Sequence, residues 1–164
     1  MGGTFDPAHL GHIKISKEAK KKFGLRKVFW VVTKKNPFKK KSYFSLNERL
    51  IYAKKINRNN KFIKVCYLEK KINSRKTINI LKYFNKSYKN SEMYFIMGAD
   101  NLINFHKWFN WKKILEICNI LVFDRTGYKA KSLKSVTFKK FNKKGLQFIK
   151  FKKVNISSSQ LRNI

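Results

Sequence analysis

A chain of 164 residues, 43% hydrophobic and 15% aromatic, can bury one real core but not two comfortable ones, so a single domain over residues 1–164 is expected. That apolar content excludes a charge-driven disordered chain, although 40 Lys and Arg against 8 Asp and Glu give a net charge of +32. No run long enough to span a membrane is present, since the best candidate, Ile114 to Phe123, is interrupted by Glu116 and Asn119.

In chain order, His12 to Phe23 reads as a helix: Ile15, Ala19 and Phe23 recur at helical spacing, lysines cover the opposite side, and Gly24 ends it. KVFWVVT is a continuous apolar run, the pattern of a strand buried on both faces. NPFKKKSYF is a polar connector. Ser45 and Glu48 then form a capping box for a helix whose Leu46, Leu50, Ala53 and Ile56 share one face. KFIKVCYLE reads as a short strand, TINILKYF as a short helix, and EMYFIMGAD as a second buried strand. Leu102 to Ile117 reads as a helix with a break near His106, and NILVF as a strand before the Asp124–Gly127 turn. Tyr128 to Lys144 is basic and aperiodic, the stretch expected to be most mobile. LQFIKF makes a late strand and SSSQLR starts a helix. Apolar strands alternating with helices predict an α/β chain with a doubly wound parallel sheet and helices on both faces. Ligands of such sheets bind at the carboxyl ends of the strands. GGTFDPAHLGH, TKKNPFK, GADN and FDRTG all fall at that rim.

The basic excess is carried by Lys; the only arginines are Arg26, Arg49, Arg58, Arg75, Arg125 and Arg162. A nucleic-acid binder favours Arg for its planar fork, so compositional bias is the preferred explanation and nucleic acid is not the expected partner. The N-terminus lacks the basic-then-apolar order of a signal peptide, and Cys66 and Cys118 form no CxxC pair; both point to a reducing cytoplasm and away from a membrane. In GGTFDPAHLGH, the glycines allow a tight turn and two imidazoles stand near a helix N-terminus, where the dipole favours an anion. The same pattern read blandly is a turn with two satisfied histidines. Zinc is disfavoured because no further ligand sits at a supporting spacing.

GTFDPAHLGH resembles the G-[TS]-F-[DN]-P-x-H-x-G-H signature of the nucleotidyltransferase superfamily, and ISSSQLR at the far end is similar to its I-S-[ST]-[ST]-x-[IL]-R signature. Between them, WVVTKKNPFK, FIMGADNLINFHKWFNW and VFDRTG resemble segments of bacterial nicotinate-nucleotide adenylyltransferases. The resemblance implies a Rossmann-like fold and transfer of AMP from ATP to nicotinate mononucleotide, giving deamido-NAD and pyrophosphate in NAD biosynthesis. It implies His9, His12 and Arg162 as catalytic residues, and Gly3, Thr4, Phe5, Lys39, Gly98, Asp100, Arg125, Ser158 and Ser159 at ATP. Thr77 and Trp108 would meet nicotinate mononucleotide. Mg²⁺ is the implied cofactor, held mainly by ATP phosphates with no protein ligand. His106 reads as structural. The pattern departs at Lys76, where the family has Tyr, at Ile80 for its second Thr, and at Thr126 in R-P-G, which leaves acid-versus-amide preference open. Other adenylyltransferases acting on nicotinamide mononucleotide or phosphopantetheine share the end motifs, and a basic RNA-binding protein on an inactive version of the fold is the alternative from another class. A homo-oligomer is also open. In the family a first strand precedes GGTFDP and the chain continues past SSSQLR. The sequence therefore reads as lacking its first strand and truncated at both ends, with poor stability or weak activity expected.

Overall fold

The structure is a computed structural model that describes residues 1–35, 42–150 and 158–162; for Ser159 and Arg162 it describes the helical backbone alone. Its elements in chain order are β1 (Gly2–Gly3), α1 (Leu10–Phe23), β2 (Val28–Val32), α2 (Leu46–Ile56), β3 (Ile63–Cys66), α3 (Thr77–Ser87), β4 (Tyr94–Gly98) and α4 (Ala99–Ile103). A 3-10 turn at Phe105–Lys107 follows, then α5 (Trp111–Ile117), β5 (Asn119–Phe123), α6 (Lys129–Leu133), α7 (Val136–Phe141), β6 (Leu146–Ile149) and α8 (Ser158–Arg162). No helix among the described residues is long and apolar enough to cross a membrane. The chain divides into two compact units, one of Met1–Lys71 with Val154–Ile164 and one of Ile72–Lys153.

The first unit holds a parallel sheet in the order β1-β2-β3. The first strand, expected to be missing, is present as the two-residue β1: Val31 N donates to Met1 O at 3.0 Å and Thr33 N to Gly3 O at 2.9 Å. β2 is the buried centre, with Trp30 and Val32 fully inaccessible, as its β-branched and aromatic run requires. α1 starts earlier than its apolar spacing suggests and buries Gly11, Ile13, Ser16 and Ala19; of the expected Ile15, Ala19 and Phe23 only Ala19 is fully buried, the other two being half-buried. Ser16 is tolerated there because its hydroxyl accepts from Trp30 Nε1 at 2.8 Å and donates to His12 O at 2.9 Å.

The second unit holds a parallel sheet in the order β4-β5-β6. One face, with Phe95, Met97, Ile120, Val122 and Leu146, packs against Ile78 and Leu81 of α3, Leu102 of α4, Phe105 of the 3-10 turn and Ile114 of α5. Leu121 and Phe123 on the alternate face of β5 are equally buried. The helix expected over residues 102–117 is broken as expected, with Asn110 at φ 52° just before α5. Tyr128 to Lys144, expected to be aperiodic, instead forms α6 and α7. Ser135 Oγ accepts from Phe138 N at 3.2 Å, and the ring of Phe141 meets Trp111 edge-on at 5.6 Å. Aromatic anchoring supplies what helical periodicity did not.

Candidate active site

In the first unit β1 leads into a reversal whose left-handed residue is not one of the glycines but Phe5, at φ 46°. The Phe5 ring, 3% exposed, stacks on Trp30 with centroids 5.0 Å apart and meets the His12 ring at 4.9 Å. His9 is the N-cap of α1. Gly11 N donates to His9 Nδ1, and His9 N donates to His12 Nδ1, both at 3.1 Å. This is a reciprocal capping box built from two imidazoles, whose rings lie 3.9 Å apart. Because each Nδ1 accepts a backbone N–H, each neutral ring carries its proton on Nε2. The loop thus presents two fixed N–H donors at a helix N-terminus, an arrangement suited to an oxyanion. From the far end of the sequence, Ser158 Oγ donates to Pro7 O at 2.8 Å.

Three charged side chains are buried beside this loop: Asp6, Arg49 and Glu69, exposed by 7%, 2% and 5%. Asp6 accepts from Tyr43 N at 2.7 Å and Phe44 N at 2.9 Å, and Glu69 from Lys34 N at 3.1 Å. Among the described residues, the acceptors of Arg49 are all backbone carbonyls. Its Nη1 reaches Thr4 O at 2.7 Å and Thr33 O at 2.8 Å, its Nη2 reaches Lys34 O at 3.1 Å, and its Nε reaches Phe44 O and Ser45 O. Burial lowers the guanidinium pKa, and the nearby Asp6 and Glu69 charges oppose that shift. Thr4, Thr33 and Glu69 all lie just beyond the carboxyl ends of β1, β2 and β3, the rim where ligands of parallel sheets bind.

In the second unit the corresponding rim carries Gly98, Asp100 and Arg125. The Arg125 Nη1–Asp100 Oδ2 ion pair measures 2.5 Å. Asp100 Oδ1 bends over Gly98 so closely that a Cβ there would lie 2.5 Å from it. That oxygen is buried without a hydrogen-bond partner among the described residues, an acceptor still to be matched. Trp108 is half-buried, edge-on to Phe95 at 6.2 Å and tilted on Phe105 at 5.2 Å. Its neighbour Phe109 is exposed and carries the Lys76 ammonium 3.6 Å from its ring centroid, which links the start of α3 at Thr77 to the Trp108 segment.

The whole chain, residues 1–164, matches the cytidylyltransferase-like family. It is 62% identical over 164 residues to a protein of Pelagibacter ubique, covering 100% of this chain and 91% of that one. A second relative, from Clostridium novyi, is 37% identical over 168 aligned residues, covering 99% and 84%. Both are named "Probable nicotinate-nucleotide adenylyltransferase". The chain belongs to the nicotinate-nucleotide adenylyltransferases. Its fold is also that of the Plasmodium falciparum nicotinic acid mononucleotide adenylyltransferase, solved complexed with APC and with NaAD, at a TM-score of 0.74 in each case. Those matches cover 99% of this chain and 80% of the other at 19% and 20% identity, so they speak for the Rossmann-like fold alone.

Of the residues singled out by the family motifs, Gly3, Thr4, Phe5, His9 and His12 form one continuous loop, and Ser158 is tied to it through Pro7. Gly98, Asp100 and Arg125 form a second group. Ser159 and Arg162 lie on α8, and Lys39 lies outside the described residues. Asp6 stands within GTFDPAHLGH without being singled out there as a structural member of the rim, and Arg49 and Glu69 lie outside the motifs. A signal for Arg49 was available: it sits one turn before Ala53 on the apolar side of α2, in a chain that otherwise meets surface needs with Lys.

Proposed function

We propose that the chain transfers AMP from MgATP to nicotinate mononucleotide, in a cytoplasmic setting consistent with its two free thiols. A phosphate oxygen of the mononucleotide attacks the α-phosphorus of ATP, the bond from that phosphorus to the bridging α–β oxygen breaks, and pyrophosphate leaves with the electron pair. The attacking phosphate is already largely dianionic at neutral pH, its second pKa being about 6, so no general base is required. What the reaction needs is orientation and donors aimed at developing charge. The observation that carries this reading is the His9–His12 capping box, which fixes two Nε2–H donors at the carboxyl end of a parallel sheet.

In this reading His9 and His12 hold phosphate oxygens. Gly3, Thr4 and Phe5 border the triphosphate, and Ser158, Ser159, Arg162 and Lys39 contribute to it from α8 and the connector. The unmatched Asp100 Oδ1 suits a ribose hydroxyl, with Gly98 leaving it room and Arg125 holding its partner oxygen. Thr77 and Trp108 meet the nicotinate ring and its carboxylate. Among the described residues no three His, Cys, Asp or Glu side chains are grouped to ligate a metal. In this reading Mg²⁺ enters with ATP as part of the substrate, where it would neutralise phosphate charge.

The test measures pyrophosphate release from ATP with nicotinate mononucleotide, nicotinamide mononucleotide or phosphopantetheine. The acid mononucleotide is expected to be preferred, and preference for phosphopantetheine would overturn the assignment. His12→Ala should lower kcat by roughly 10²–10³, the usual cost of one transition-state donor.

A further inference from the structure

We infer that Arg49 is the positioning residue of the histidine pair. The Thr4 carbonyl and the Phe5 nitrogen belong to one rigid peptide plane, and rotation from that plane about the Phe5 N–Cα bond is the φ angle of Phe5. Arg49 Nη1 holds that carbonyl at 2.7 Å, and Phe5 sits at φ 46°. A bulky residue keeps such a conformation only where its surroundings over-determine it, and such sites gather where function needs them. The same Nη1 also holds Thr33 O, at the end of the strand that carries Trp30. One planar guanidinium therefore references both sides of the Phe5–Trp30 stack.

That stack is what His12 rests on. Its ring meets Phe5 at 4.9 Å and Trp30 edge-on at 5.8 Å, and its carbonyl is tied through Ser16 Oγ to Trp30 Nε1. The shortest path from Arg49 to His12 passes through two direct contacts, Arg49 Nη1 on Thr4 O and the Phe5 ring on the His12 ring. Lysine cannot replace the fork: an ammonium is a point donor and cannot hold carbonyls of two strand ends and a helix start at once. Arg49 is thus a residue that the reaction uses without touching.

The proposal rests on His12 acting as a phosphate donor. In pyrophosphate-release assays, Arg49→Lys should lower kcat by about 10²-fold, the effect of a misplacement on the order of 1 Å, with little change in either KM. The double variant Arg49→Lys/His12→Ala should be no slower than His12→Ala alone, because the two act through one group. Additive losses, or a kcat for Arg49→Lys near that of the parent, would overturn the inference. If Arg49→Lys loses its cooperative melt, Phe5→Leu follows the same path with all five guanidinium bonds intact. It must then show the same non-additivity with His12→Ala, and additivity there overturns the inference as well. A parent chain that releases no pyrophosphate sinks the proposed reaction and not this inference. Imidazole ¹⁵N–¹H spectra then decide, since the chain has 3 His. Arg49→Lys, or Phe5→Leu in its place, must move the His12 resonances and leave those of His106 in place; unmoved His12 resonances overturn it.

Discussion

At position 98 a methyl group would have to displace the side chain of Asp100. Gly98→Ala would push a Cβ to 2.5 Å from Asp100 Oδ1, and the short Asp side chain could escape only by giving up its place beside Arg125. The expected result is a KM for ATP raised by roughly tenfold or more, the cost of one hydrogen bond to a charged group, with a melting temperature close to that of the parent because the Arg125–Asp100 pair is partly exposed. Trp108→Ala should instead raise KM for the mononucleotide and leave KM for ATP alone, as measured by initial rates at saturating co-substrate. Cys118 offers a check on burial: its surroundings push the thiol up to about 12. Iodoacetamide at pH 8 should leave Cys118 unlabelled in the folded chain and label it after denaturation, read by peptide mass. Early labelling would mean that the core around β5 opens.

Among the elements, α2 shows how a cap ties stability to pH. Ser45 and Glu48 bond reciprocally, Ser45 N to Glu48 Oε2 at 2.8 Å and Glu48 N to Ser45 Oγ at 3.2 Å. Those bonds lower the Glu48 pKa. A carboxyl depressed in the folded state adds stability above its unfolded pKa and loses it as pH falls through the folded value. Glu48→Gln should therefore lower the melting temperature slightly at neutral pH, where the ionised cap is lost, and converge on the parent as pH falls through the folded pKa of Glu48, which flattens the acid side of the profile. This cap was legible in the sequence because S-x-x-E is a local pattern, and the strands were legible because their β-branched runs are local too. The His9–His12 cap was legible as two histidines near a helix start, but not as a box, since imidazole is an uncommon substitute for Ser and Glu. Arg49 was opaque for a different reason. Its acceptors come from Thr4, Thr33, Lys34, Phe44 and Ser45, and no window of sequence contains them all. α6 and α7 were hidden because helices of 5 and 6 residues draw their stability from tertiary anchors such as Phe141 on Trp111.

For the molecule as a whole, 8 acidic residues cannot neutralise 40 basic ones even if every acid is paired. The remaining positive field draws in polyphosphates over distances of about 10 Å at 0.1 M salt. Raising KCl from about 0.05 to 0.5 M should therefore lower kcat/KM for ATP by on the order of tenfold, mostly through association; a flat profile would show that the charge plays no part in capture. A single bond adds a matter of timing. Ser158 Oγ closes on Pro7 O across a sequence separation of 151 residues. At synthesis rates of about 5–20 residues per second, Pro7 precedes its donor out of the peptidyl-transferase centre by roughly 8–30 s. The loop at Pro7 is thus made well before the residue that latches it. A ribosome stalled between the two ends carries a nascent chain with both histidines in hand and that latch still unwritten.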